Sequence, residues 1–147
     1  MAQVPYAMWA DYYELLLLRQ GVEPVEILDV CCGTGTVAEL LAMKGFKVTG
    51  FDLSAPMIES AKAKEEQQQL GIRYFVADAA EFDAGQTFDG AFSFFDSLNY
   101  ITDPQRLRMA LHRVAAHLRP GGSFIFDLNT AYAFEAELFT QKEKRKN

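Results

Sequence analysis

Four carboxylates carry most of the chemical interest of this sequence: Asp29, Asp52, Asp78 and Asp96, each placed where an apolar run gives out. The first opens the segment Asp29-Val30-Cys31-Cys32-Gly33-Thr34-Gly35-Thr36. Glycines at 33 and 35 permit a tight turn and close backbone approach by a ligand, and a helix starting beyond them offers free N–H groups. Asp52, roughly 20 residues on, suits bidentate hydrogen bonding to the two hydroxyls of a ribose. The competing role for Asp52, capping the next helix, falls better to Ser54. Asp78 is followed by Ala79 and Ala80, which leave room for a flat ring. Together these residues imply an adenosine-type ligand. Four carboxylates on one rim repel one another unless a ligand or solvent screens them.

Short apolar runs alternating with helical stretches must position these residues, a pattern of parallel βαβ units. Residues 5–20 read as a helix with Trp9, Tyr12, Tyr13, Leu16 and Leu17 on one face. Strands are expected at 25–31, 47–53, 72–78, 88–95 and 123–129. A helix over 36–44 stops at Gly45. Ser54 caps the next helix, with Pro56 in its first turn, and Gly71 ends it. Asp103 and Pro104 open a fourth helix with the apolar stripe Leu107, Leu111, Val114 and Leu118. Pro120, Gly121 and Gly122 turn into the last strand, and residues 131–140 read as helical. Right-handed crossovers make the sheet open and doubly wound, so a ligand belongs at the C-terminal strand ends. Asp29, Asp52, Asp78 and Asp96 all fall there.

Composition narrows the function. The 147 residues, half of them apolar and 23% charged, read as one domain over 1–147. The longest aliphatic run, Leu15–Leu18, falls far short of the roughly 20 residues a membrane span needs. Met1–Tyr13 lacks the basic start and apolar core of a signal peptide, which points to the cytoplasm. The net charge is −6, and Lys142, Lys144, Arg145 and Lys146 concentrate positive charge in a frayed basic tail over 141–147. An acidic body without a Lys/Arg stripe gives no footprint for nucleic acid and favours a small-molecule substrate. Cys31 and Cys32 are adjacent, a poor geometry for a disulfide and too few for a zinc set, so packing roles are expected and no metal.

The chain resembles the class I S-adenosylmethionine-dependent methyltransferases. The matching stretches are ILDVCCGTGTVAELLAMKG (27–45), VTGFDLSAPMIESAK (48–62), IRYFVADAAEF (72–82), FDGAFSFFDSLNYI (88–101) and LRPGGSFIFDLNT (118–130). The resemblance implies a Rossmann-like α/β fold with a five-stranded, mainly parallel sheet of order 3-2-1-4-5. It also implies S-adenosylmethionine as methyl donor and S-adenosylhomocysteine as product. Carried over by match, Asp29, Cys31 and the Gly33–Gly35 loop approach the amino acid part of the donor. Asp52 binds the ribose, Leu53 and Met57 sandwich the adenine, and Asp78 with Ala79 meets the adenine amino group. Phe95 lies near the methionine portion. Tyr6 and Trp9 resemble the aromatic segment that folds over the cofactor in related proteins.

Two departures stand out. The family loop usually has glycine where Cys31 stands, and the backbone at a cysteine is not expected to take up glycine-only angles. The family sheet also normally continues for two strands beyond the fifth. The sequence therefore reads as a fragment, a truncated form, or a member whose fifth-strand edge is covered by another chain, including a homodimer. Candidates for a general base or acceptor-side contact are Asp96, Asn99 and Tyr100, with Asp127 and Asn129 further along. His112 and His117 are expected in surface or packing roles. Two other readings compete. Gly33-x-Gly35-x-x-Ala38 formally fits an NAD-dependent oxidoreductase, although Asp29 sits where dinucleotide strands usually stay apolar. The third is a non-catalytic cofactor-binding or interaction module.

Overall fold

The computed structural model describes residues 6–21, 25–95 and 97–127. Its elements are α1 (Tyr6–Arg19), β1 (Glu26–Val30), α2 (Thr36–Met43), β2 (Lys47–Asp52), α3 (Ala55–Gln68), β3 (Arg73–Val76), β4 (Phe88–Ser93), α4 (Pro104–Ala116) and β5 (Leu118–Phe126). A single turn of 3-10 helix, Ser97–Tyr100, precedes α4. All strand pairs are parallel, in the order β3-β2-β1-β4-β5. This is the doubly wound sheet expected from the sequence. The helix expected over 131–140 and the basic tail lie outside the described residues.

β1 is central and buried from Ile27 to Val30 because helices cover both faces, which suits Ile27, Leu28 and Val30 and leaves Asp29 as a buried charged exception. Side chains alternate along it. Ile27 joins the cluster formed with α1, α2 and α3, while Leu28 and Val30 join the cluster containing Ala110 and Val114 of α4. The order of strands reverses between β1 and β4, and a cleft opens there beyond the C-terminal strand ends.

Local chemistry sets the helix ends. The Ser54 hydroxyl accepts from the Met57 amide at 3.3 Å, and the Asp103 carboxylate accepts from the Gln105 amide at 2.9 Å. At the far end of α3 the left-handed residue is Gln69 (φ 50°) rather than Gly71 alone, and the Glu65 carboxylate accepts from the amides of Leu70 and Gly71.

Three expectations change. On α1 the buried residues are Ala10, Tyr13 and Leu17, at helical spacing, whereas Tyr12 is 51% exposed. Leu118 does not extend the α4 stripe; the helix ends at Ala116 and Leu118 pairs with Phe88 in β5. β5 therefore starts earlier than 123, and the Pro120–Gly122 turn survives as a bulge before pairing resumes at Ser123 opposite Gly90. A proline that cannot donate and Gly121 at φ 86° force the chain out of register there.

α1 is fastened by Tyr13, whose ring centre lies 4.8 Å from that of Phe92. Gly90 makes room for it, because a Cβ at that position would lie 2.9 Å from the Tyr13 hydroxyl. That hydroxyl is buried without a hydrogen-bond partner among the described residues. Tyr13→Phe should therefore leave the urea unfolding midpoint unchanged or raise it, because an unsatisfied polar atom is removed. Tyr13→Ala should cost about 3–5 kcal/mol as a cavity opens under α1.

Candidate functional site

The chain leaves β1 through three left-handed residues, Cys31 (φ 61°), Gly33 (φ 59°) and Gly35 (φ 83°). Cys31 does take up the glycine-favoured region, contrary to expectation, at a strain of about 1–2 kcal/mol for a residue with a Cβ. Three backbone amides fasten the loop. Cys32 N–H donates to Phe51 O at 2.8 Å, Gly33 N–H to Asp52 Oδ2 at 2.8 Å, and Gly35 N–H to Cys32 O at 3.0 Å. α2 then begins with Gly35 in its cap position and no side chain accepting from its first turn, so those amides face outward for other acceptors.

Asp52 does two things at once. Its Oδ2 holds the loop, and its Oδ1 accepts from Ser54 N–H at 2.9 Å, fixing the start of α3. Each oxygen keeps a further lone pair for a ligand hydroxyl. Asp78, two residues past β3, accepts from the Ala80 amide through Oδ1 and pairs with Arg106 through Oδ2. Arg106 escapes a reading of sequence because it reaches across from the first turns of α4, 28 residues away. Asp29 differs from both. It is 4% exposed and no described residue hydrogen-bonds its carboxylate. Burial, and secondarily the Asp52 charge, hold its carboxyl well above the usual carboxylate range.

These residues line one cavity of about 610 Å³. Of the residues named from sequence, Tyr6, Asp29, Cys31, Gly33, Asp52, Leu53, Met57, Asp78, Ala79 and Phe95 form its wall. Leu53 and Met57 stand 69% and 47% exposed at its rim, apolar surfaces open to a flat ligand. Two named residues sit behind the wall. Gly35 faces Tyr74, whose hydroxyl would lie 2.2 Å from a Cβ there, so its smallness serves packing from β3 rather than a ligand. Trp9 stacks behind Phe94 and Phe95, with ring centres at 4.9 and 5.4 Å. Asp96, Asn129 and the side chains of Asn99 and Tyr100 lie outside the described residues. Thr34, Thr36, Phe92, Phe94, Ser97 and Ile101 complete much of the lining. Sequence does not single them out because their contribution is shape, set by strand register and the turn after β4.

The remaining candidates fall elsewhere. Asp127 follows β5, with its amide donating to Ser93 O. His112 is exposed on α4. His117 is buried, its Nε2 accepting from the Ala84 amide at 3.1 Å and its ring stacked 4.4 Å from Phe82, a packing role. Cys31 and Cys32 are both reduced and pack on opposite faces of the sheet. Among the described residues no group of three or more His, Cys, Asp or Glu could hold a metal, and no helix is long and apolar enough to cross a membrane.

A family model described as "Methyltransferase domain" matches residues 27–122. The chain is 36% identical over 149 residues to a protein named a methyltransferase in Geobacillus sp. (strain WCH70), covering 98% of this chain and 60% of that one. A crystal structure of an S-adenosylmethionine-dependent methyltransferase from Clostridium acetobutylicum superposes with a TM-score of 0.83 at 33% identity, covering 88% of this chain and 53% of that one. The S-adenosylmethionine-bound amino pentose methyltransferase CalS10 from Micromonospora echinaspora superposes with a TM-score of 0.79 at 27% identity, covering 86% of this chain and 52% of that one. The chain thus spans between about half and three-fifths of the length of the proteins it matches.

Two outcomes follow from the site alone. A carboxyl held above its ordinary value of 3.8 binds its proton more tightly folded than unfolded, so Asp29 costs stability progressively as pH rises from there through its raised value. Asp29→Asn should raise the thermal midpoint at neutral pH, and its advantage should vanish in acid below the ordinary value; a lower midpoint at pH 7 would show that Asp29 has a compensating partner. Gly35→Ala should cost about 2–4 kcal/mol, combining overpacking against Tyr74 with left-handed strain. Adding Tyr74→Val in a double-mutant cycle should recover the packing part alone.

Proposed function

The chain belongs to the methyltransferase-domain family, and from that premise we propose that residues 1–147 act as one S-adenosylmethionine-binding domain serving methyl transfer to a small-molecule acceptor. The observation that carries this is Asp29: a buried carboxylate with no hydrogen-bond partner among the described residues, at the bottom of a strand-end cavity, beside a glycine loop and a second carboxylate. A ligand fits if it brings a cation to Asp29 and a diol to Asp52. S-adenosylmethionine does both, through its α-ammonium and its ribose.

On this reading the outward amides at the start of α2 receive the ligand's carboxylate. Leu53 and Met57 enclose the adenine, with Asp78 and Ala79 at its edge, and Arg106 fixes the direction of the Asp78 carboxylate. When bound, S-adenosylmethionine supplies a methyl carbon on positively charged sulfur, and in the displacement the acceptor's lone pair forms the new bond while the C–S pair returns to sulfur. The chain's part is alignment of the two reactants and exclusion of water, worth orders of magnitude without covalent participation. Where the acceptor carries a proton, Asp96 and Tyr100, which follow β4 in the sequence, are the candidates to take it, with Asn99 a candidate contact for the acceptor.

A small acceptor is supported by the acidic balance of the chain, which repels polyanions, and by the amino pentose methyltransferase among the structures it resembles. We place the protein in the cytoplasm on its acidic balance and its free thiols. β5 borders the sheet among the described residues, with Phe126 38% exposed, and a second copy pairing along it is the homodimer we propose. Against NAD stands Asp29, a carboxylate beside the glycine loop where a pyrophosphate would lie, and the described residues of the cavity wall include no lysine or arginine.

Isothermal titration with S-adenosylmethionine, S-adenosylhomocysteine and NAD tests this. The first two should bind at micromolar concentration and NAD should not. Asp52→Ala should weaken the first two by about 1–3 kcal/mol. Binding of NAD alone, or of nothing, would overturn the reading.

A further inference from the structure

We infer that His117 is a positioning residue for the β3 side of the cavity, acting only while its ring is neutral, an inference that rests on the S-adenosylmethionine reading above. Residues 77–87 join β3 to β4 without helix or strand, so their backbone needs partners from elsewhere. One face of α4 supplies them. Arg106, Ala110, Arg113 and His117 recur at steps of four, three and four, the last of them capping the helix end. Arg106 Nη2 donates to Asp78 Oδ2 at 2.5 Å, and Arg113 Nε donates to Phe82 O at 2.9 Å. His117 Nε2 accepts from the Ala84 amide at 3.1 Å. The loop is thus gripped at three successive points, and its first residues, Ala77, Asp78 and Ala79, line the cavity.

The partners of His117 fix its protonation. Nδ1 lies 2.6 Å from Arg113 O, which only accepts, so Nδ1 carries the proton. Nε2 faces an amide, which only donates, so it carries none. The ring is therefore neutral, and a second proton would end the bond to Ala84. A rival partner stands beside it. The Asp83 carboxylate lies 3.7 Å from Nε2, on a side chain 78% exposed, and it accepts from the Gly85 amide at 2.8 Å. The charged groups facing the ring are Asp83 from the loop, which attracts a second proton, and Arg113 from α4, which opposes it. Phe82 stacks on the ring, and from β4 the Phe88 amide donates to the His117 carbonyl; neither carries charge. Once protonated, Nε2 donates to Asp83 instead, and the Ala84 amide is left buried without its acceptor. The loop then loses its hold near β4, and Asp78 and Ala79 lose the anchored segment behind them.

The experiment is calorimetric titration with S-adenosylmethionine between about pH 5 and 8, where imidazoles ordinarily change charge. It compares the parent chain with His117→Gln, His117→Leu and Asp83→Asn. At pH 8 His117→Leu, which offers no acceptor, should bind about 2- to 10-fold more weakly than the parent, the range of one hydrogen bond. His117→Gln, which accepts but takes up no proton, should recover most of that loss. Toward pH 5 the parent should lose about 2- to 10-fold more affinity than His117→Gln. Asp29 is common to both and cancels in the comparison. Asp83→Asn should move the parent's drop to lower pH by removing the charge that favours the protonated ring. Parallel pH profiles for the parent and His117→Gln overturn the inference while leaving the methyltransferase reading intact. If His117→Gln fails to fold, Asp83→Asn, at an exposed position, decides alone, and an unmoved profile overturns the inference. Failure of the parent to bind at pH 8 overturns that reading and this inference with it.

Discussion

The left-handed exit from β1 is the constraint on which the site depends. A strand in the middle of a parallel sheet must hand over to a helix on one face within a few residues, here Cys31 to Gly35. Straight continuation would drive the chain into the space beyond the strand ends, where the cavity lies. Three positive-φ residues turn it aside, and the amide of Gly33 is caught by Asp52 from the neighbouring strand. One carboxylate thereby fixes the loop and, through Ser54, the helix after β2. The cavity is the volume left by that turn on one side and by the turn at Phe95 on the other.

Such a site is held at a cost to stability, and the costs are visible. Asp29 is buried with no hydrogen bond from a described residue, Cys31 and Phe95 occupy backbone angles that side chains resist, and all three lie in the cavity wall. Each departs from what folding alone would select. Elsewhere the same chain follows the local rules closely: capped helices at Ser54 and Asp103, apolar faces at helical spacing, and a carboxylate closing the end of α3. The Tyr13 and Tyr74 hydroxyls, buried beneath Gly90 and Gly35 without hydrogen-bond partners among the described residues, are exceptions of another kind. There two glycines have been fitted to aromatic side chains, and the ring contributes more than its hydroxyl loses.

The fold was largely legible because its signals are local. Periodicity, caps and turn residues placed nine elements to within a few residues, right-handed crossovers made the sheet open and doubly wound, and the strand order came with the family resemblance. The errors came where tertiary pairing overrides local pattern. Leu118 completes a helical stripe by spacing, yet its partner is Phe88 across the sheet. Tyr12 looks like a core aromatic, yet α1 presents Ala10, Tyr13 and Leu17 instead. In the site, the carboxylates and Gly33 could be found because strand ends are readable, whereas Arg106, Tyr74 and the cause of the Phe95 turn could not. Those depend on side chains meeting across elements, which spacing along one segment does not encode.

The acidity of the cavity also governs its cysteines. Burial first, then the charges of Asp52, Asp29 and Asp78, push the Cys31 thiol up to about 12, and burial with Asp29 and Asp52 moves Cys32 further in the same direction. Neither is a thiolate near neutral pH, and the thiolate is the form that attacks carbon. Next to an electrophilic methyl donor, an ordinary cysteine would be a rival to the acceptor. Here burial, with the neighbouring carboxylates adding to it, keeps both sulfur atoms protonated. Cys31 can therefore stand at a left-handed position in the wall, where glycine is usual, without introducing a nucleophile.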